Sequence, residues 1–144
     1  MKFNEINQEN WQSLKPYVDT CILPVTGLTG NEQPWQVTHT LEQLRDTLAK
    51  FEVPFYGRTV TYPAVQYAVG QNTREMINEI CSNLKHTGFQ FVVVVTIFNE
   101  LTNWQLLNCD LVIVVEPSSV EEKNNKDDHR LTKQLIAIWQ TKSQ

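Results

Sequence analysis

Residues 91–98 read Phe-Val-Val-Val-Val-Thr-Ile-Phe and carry no charge. Side chains along a β-strand alternate between two faces. A strand that is apolar at every position therefore needs cover on both sides. That requirement is met in parallel sheets sandwiched between helices. The run is far shorter than the roughly 20 residues of a membrane span. Gly88 stands just upstream, where a helix C-cap favours glycine. The run is thus the strand of a helix–strand unit, and the rest of the chain has to supply covering helices and neighbouring strands.

The flanking sequence fits that demand. Residues 7–14 suit a short helix that packs Trp11 and Leu14. Thr20-Cys21-Ile22-Leu23-Pro24-Val25 reads as a first strand, expected to end near Pro24 because proline cannot donate to a ladder. A long connection is expected over 26–37. Thr40-Leu41-Glu42-Gln43 has the form of a capping box and predicts a helix with Leu41, Leu44, Leu48 and Phe51 on one face. Residues 58–62 read as a second strand, and 63–70 as an apolar loop carrying Tyr67. Asn72 and Glu75 open a helix whose stripe holds Met76, Ile77, Ile80, Cys81 and Leu84. A short helix is expected over 100–107 and a fourth strand over 111–115. Residues 116–126 lack periodicity and predict a mobile linker. A last helix, starting at Asp127 or Asp128, carries Leu131, Leu135, Ile138 and Trp139. The expectation is one domain over 1–144. Its fold class is α/β, a three-layer sandwich with a mainly parallel, doubly wound sheet of about four strands in the order 2-1-3-4. A ligand crevice is expected at the carboxyl ends of the first and third strands.

Composition narrows function by exclusion. Hydrophobic residues make up 41 % and the formal net charge is −4. No basic cluster offers a footprint for nucleic acid. No apolar stretch suits membrane insertion, and the first seven residues lack a signal-peptide core, so a cytoplasmic location is expected. Three cysteines, none at CxxC spacing, read as buried thiols acting as small hydrophobes.

The strand end Thr96-Ile97-Phe98-Asn99-Glu100 offers no histidine, cysteine, glycine-rich phosphate loop or carboxylate pair. His39, His86 and His129 fall at three separate predicted helix ends without HxH or HxxxH spacing, so no metal site is expected. Gly27-Leu28-Thr29-Gly30 lacks the lysine of a P-loop and the third glycine of a dinucleotide fingerprint. No motif calls for a cofactor. Two carboxylates, Glu100 and Glu116, follow buried strands and are the catalytic candidates. A set formed by Thr29, Asn31, Trp35, Tyr62, Tyr67, Phe98 and Asn99 is the candidate surface for a ligand or partner, because aromatics at loop positions stack small molecules and anchor proteins.

Three segments carry a family resemblance. They are Ile22-Leu23-Pro24-Val25, Tyr62-Pro63-Ala64-Val65-Gln66-Tyr67, and 80–89 with its His86-Thr87-Gly88-Phe89 turn before the valine run. Together they resemble the first strand, the proline- and tyrosine-bearing loop and the central strand unit of the creatininase family, metal-dependent amidohydrolases of α/β fold. The resemblance spans about residues 19–100 and implies a pared-down version of that fold. The family's Glu-x-His metal motif falls on Thr29 and Asn31, and its later histidine ligand on Phe98, so the resemblance implies no metal centre. The lead-in Tyr17-Val18-Asp19-Thr20 and the short chain also resemble an uncharacterised family of short proteins from spore-forming Gram-positive bacteria.

The resulting expectation is a non-catalytic binding or regulatory protein acting on an unknown protein or small molecule. A small hydrolase using Glu100, Glu116 or Asp19 is the alternative. A structural subunit, with the last helix against another chain or in a homo-oligomer, is the third.

Overall fold

The valine run does what its pattern requires. In the computed structural model it forms β4 (Phe91–Thr96), buried at every position. The structure describes backbone and side chains for residues 1–70, 72–97, 108–115 and 130–141, and backbone alone for 124–129 and 142. β4 pairs in parallel with β1 (Thr20–Leu28) and with β5 (Leu111–Val114). On its other side β1 pairs in parallel with β2 (Thr59–Thr61) and then with β3 (Val65–Tyr67). The strand order is β2-β1-β4-β5, with β3 continuing the β2 edge. The expected doubly wound order is thus present, with five strands rather than about four. Residues 65–67, expected in a loop, are the added strand.

Two layers of helix cover the sheet. Cys21, Leu23 and Val25 of β1 and Val92 and Val94 of β4 share one core. α1 (Gln8–Leu14) and α3 (Thr73–His86) pack Trp11, Leu14, Ile77, Cys81 and Leu84 into it. Ile22, Phe91, Val93, Val95 and Ile113 point the other way. There they meet Leu44 and Phe51 of α2 (Pro34–Glu52) and Leu131, Leu135 and Trp139 of α4 (Asn124–Lys142). Each fully buried aliphatic side chain of this kind contributes about 1.5–3 kcal/mol. Met76, expected on the α3 stripe, and Leu41, expected on the α2 stripe, are exposed.

Three boundaries differ from expectation, each for a physical reason. β1 runs through Pro24 instead of ending there. The backbone of Thr20 donates to Arg58 O and that of Ile22 accepts from Tyr62 N, both on the β2 side. Pro24, in phase with them, faces the same side opposite residues 62–64, between the end of β2 and the start of β3. The donor that proline lacks therefore has no ladder partner to lose. A register shift between Val25 and Leu28, with Gly27 at φ 76°, then lets β1 reach β3. Next, α2 starts at Pro34, well before the Thr40 capping box. Pro34 occupies the first turn, where its missing N–H costs nothing. The backbone N–H of Gln33 donates to the Gln36 side chain (2.9 Å). The expected 26–37 connection shrinks to 29–33, and Trp35 and His39 are helical. Last, α4 begins at Asn124, inside the stretch expected as a linker. The helix expected over 100–107 and residues 116–123 of the linker lie outside the described residues.

α4 is held at the amino ends of the strands by a small polar network. The Trp139 indole donates to Thr20 Oγ1 (2.8 Å), and the Thr20 hydroxyl donates to Asp19 Oδ1 (2.9 Å). Asp19 also receives Arg58 through both oxygens (3.0 and 3.1 Å). The Arg58 guanidinium lies 3.9 Å from the Trp139 ring centre, and Phe55 meets that ring edge-on at 5.0 Å. Trp139→Phe keeps the ring and removes the buried donor. It is expected to lower stability by about 1–3 kcal/mol, seen as a lower urea midpoint with helix content retained. An unchanged midpoint would show that the indole bond contributes nothing.

Candidate functional site

The first residues of the chain run beside β2. Thr61 N donates to Met1 O (2.8 Å), and Lys2 forms a parallel bridge to Thr61. A 3-10 turn follows at Phe3–Glu5. α1 then begins on Asn7, whose side chain accepts from Asn10 N (2.8 Å) while its own N–H donates to Asn10 Oδ1 (2.7 Å). These caps fix the angle at which α1 leaves the sheet edge. Between α1 and the edge lies an open cleft of about 560 Å³, lined by Phe3, Ile6, Trp11, Tyr62 and Phe89, with Asn7 and Gln8 at its polar side.

Phe89 organises the rings. Tyr62 stands perpendicular to it at 5.5 Å, and Trp11 tilts against it at 5.9 Å. Offset and edge-on arrangements of this kind suit the ring quadrupoles. The Tyr62 hydroxyl has no hydrogen-bond partner among the described residues. Burial, and to a smaller extent the neighbouring Cys21 thiol, pushes its phenol above the ordinary value. The group is therefore a neutral donor and acceptor on an otherwise apolar wall.

A second cavity of about 380 Å³ opens at the carboxyl ends of β1 and β2, beneath α2. Phe3, Tyr62 and Pro63 belong to both walls, so Tyr62 stands between the two spaces. Apart from Tyr62, which both spaces share, the hydroxyls in the second cavity are already engaged. Thr26 donates to the Gln66 carbonyl and accepts from Leu28 N (3.3 Å). Thr61 donates to Glu52 Oε1 (2.9 Å). With these groups paired, the aromatic cleft is the better site.

The 29–33 loop also closes on itself. Glu32 accepts from Thr29 N (2.8 Å), Thr29 Oγ1 (3.0 Å) and Gly30 N (2.9 Å). The backbone donors that could have faced an external anion are filled by the protein's own carboxylate. The Thr29 N–H foremost, with the Gly30 N–H and the Thr29 hydroxyl, holds Glu32 below the usual carboxylate range. Asn31 donates its backbone N–H to Thr29 Oγ1 (3.3 Å).

The other sequence candidates are dispersed. Trp35 is 71 % exposed on the first turn of α2, and Tyr67 is 59 % exposed on β3. Neither makes a ring contact with Tyr62 or with the other. Phe98, Asn99, Glu100 and Glu116 lie outside the described residues. Asp19 is at the opposite end of the sheet, in its ion pair with Arg58. His39 lies within α2, and His86 Nδ1 sits 2.8 Å from the Ser82 carbonyl on α3. Among the described residues no three histidine, cysteine or acidic side chains come together in a metal-binding group. Reading the sequence found Tyr62 but assigned Trp11 to ordinary packing, named Phe89 only in the turn before the valine run, and left Phe3 unassigned. The 3–11 segment, Tyr62 and Phe89 are far apart in the chain and meet through the β1–β2 and β1–β4 pairings and the bridge from Lys2 to Thr61, which local patterns do not encode.

Comparison with known proteins gives one match. Residues 9–141 fit the model of a family described as a protein of unknown function (DUF2487). No curated protein and no solved structure matches. The creatininase likeness therefore stands on the three sequence segments alone. No helix among the described residues is long and apolar enough to cross a membrane.

The Glu32 clasp makes a pH-dependent expectation. A carboxylate held below its unfolded pKa contributes order that is complete above that value and lost as pH falls through the folded value. As pH falls below the ordinary glutamate range, the amide signals of Thr29 and Gly30 are expected to shift and their protection relative to intrinsic exchange to drop, while β4 amides stay protected. Glu32→Gln should remove the titration. A loop insensitive to both changes would mean that the clasp is not formed in solution.

Proposed function

The chain belongs to the DUF2487 family of proteins of unknown function, and from that premise we propose that it is a non-catalytic binding protein of the cytoplasm. Its ligand is a small, flat, mostly apolar molecule with one hydrogen-bonding edge. The observation that carries this reading is the cleft of about 560 Å³ with Trp11 and Tyr62 each against the Phe89 ring and a Tyr62 hydroxyl without a partner among the described residues. Its size lies within the roughly 300–1,000 Å³ of small-molecule sites, which pair apolar walls with a few placed polar groups. Stacking on Trp11 or Phe89 supplies affinity. Tyr62, with the Gln8 amide at the rim, sets the orientation of the polar edge. The creatininase-like frame is retained as a scaffold, and Thr29 and Asn31, which stand at its metal motif, serve the loop clasp instead.

A library of aromatic and heteroaromatic fragments, screened by protein-observed NMR, tests this. Binders are expected to shift the Trp11 indole signal and leave those of Trp35 and Trp139 in place. Tyr62→Phe should weaken the best of them about 5- to 10-fold, the cost of one hydrogen bond, without changing thermal stability. Fragments that shift Trp35 instead, or affinity indifferent to Tyr62→Phe, would overturn the assignment.

A further inference from the structure

The three cysteines, unrelated by spacing in the sequence, are brought to one side of the sheet. Cys21 on β1 and Cys81 on α3 are in the core beneath α3, and Cys109, just before β5, packs against it. All three are free thiols. α3 meets the segment before β5 through two pairings that bracket Cys109. Asn108 N donates to Asn78 Oδ1 (2.9 Å) and Lys85 Nζ lies 3.1 Å from Asp110 Oδ2, so Cys109, between them, is brought against the stretch of α3 that holds Cys81. Residues 78, 81 and 85 share one face of the helix, and residues 108–110 lie against it in matching order. The contacts on either side hold the thiol pair in place. Asp110 is itself fixed to β4, accepting from Val92 N (2.8 Å) and donating its own N–H to Val92 O (2.9 Å).

The two thiols differ in ways that suit a sequential reaction. Cys81 is fully buried, whereas Cys109 is partly exposed. The neighbouring Cys109, then burial, pushes the Cys81 thiol up, and the neighbouring Cys81 brings the Cys109 thiol down. Cys21 is buried and held protonated by desolvation. An accessible sulfur next to a shielded resolving thiol is the arrangement found in reversible peroxide-sensitive pairs.

We propose that Cys81 and Cys109 form a reversible intramolecular disulfide on exposure to a peroxide. Cys109 sulfur attacks the peroxide, the O–O bond breaks, and a sulfenic acid and water result when the oxidant is hydrogen peroxide. Cys81 sulfur then attacks the Cys109 sulfur, the S–O bond breaks, and a second water leaves with the Cys81 proton. The two thiols give up two electrons and two protons, which reduce the peroxide. Forming the disulfide brings the two sulfurs to about 2.05 Å. The product ties α3 to the entry of β5.

The test uses the full chain with its three native cysteines. It is treated with hydrogen peroxide, alkylated under denaturing conditions and mapped by mass spectrometry. The expected product is lighter by about 2 Da, links the peptides containing Cys81 and Cys109, leaves Cys21 alkylated, and reverts with a thiol reductant. Cys81→Ser should divert Cys109 to the sulfinic acid, about 32 Da heavier. Cys109→Ser should show no cross-link. A disulfide through Cys21 at equal yield would overturn the proposal, as would a cross-link between chains, or oxidation of Cys109 in the native chain without a cross-link. The mapping of the native chain decides the matter even if either variant folds poorly.

Discussion

The architecture depends on β1 being hydrogen-bonded along both edges. It shares six register positions with β4 on one side. On the other it serves first β2 and then β3. No other strand among the described residues has partners of three kinds. Because its neighbours on both sides are parallel, each must return through a crossover, and the crossovers place α2 on one face and α3 on the other. The two cores, the aromatic cleft and the thiol cluster all follow from that choice. Pro24 is compatible with so central a strand because its missing donor falls opposite the break between two partners.

The two ends of the sheet are built differently. At the amino ends, Asp19, Thr20, Arg58 and Trp139 satisfy one another, and α4 is anchored there by a buried indole bond and a guanidinium over a ring. Breaking such a set leaves groups buried without partners, which makes it a structural lock rather than a reactive site. The sheet edge at β2 is less complete. There the rings of Trp11, Tyr62 and Phe89 touch but do not fill the space between α1 and the strand. A polar hydroxyl left in an apolar wall is the feature to expect where another molecule supplies the partner.

Fold was legible where periodicity was strong. The valine run, the stripe of Ile77, Cys81 and Leu84, and the series Leu131, Leu135 and Trp139 carried the layers and the strand order. What escaped was local chemistry with two competing signals. The Thr40 capping pattern is real as a motif, but Pro34 starts the helix earlier and leaves Thr40 inside it. Pro24 was read as a terminator because a proline's cost depends on which side of the ladder it faces, and that is a property of the whole sheet. The candidate site was harder still. Tyr62 was found from its place after a strand. Trp11 and Phe89 become cleft residues through pairings across the fold, and no spacing rule places Cys81 beside Cys109.

The position of β1 in the chain has a consequence for biosynthesis. It is made before the other described strands, yet the β4 residues that pair with it are about 70 residues further on. At a synthesis rate of about 5–20 residues per second, β1 waits on the order of 10 s with that edge unpaired. Parallel pairing over such a separation also closes slowly, because chain entropy is lost before any contact compensates for it. A strand buried at all but one position in the finished protein is thus left open in the nascent chain. Its seven-residue stretch Thr20-Cys21-Ile22-Leu23-Pro24-Val25-Thr26 carries no charge to deter a wrong partner. Pro24, harmless in the native sheet, removes one donor from the β2-facing edge of that stretch, so a stray strand approaching that edge finds one bond fewer.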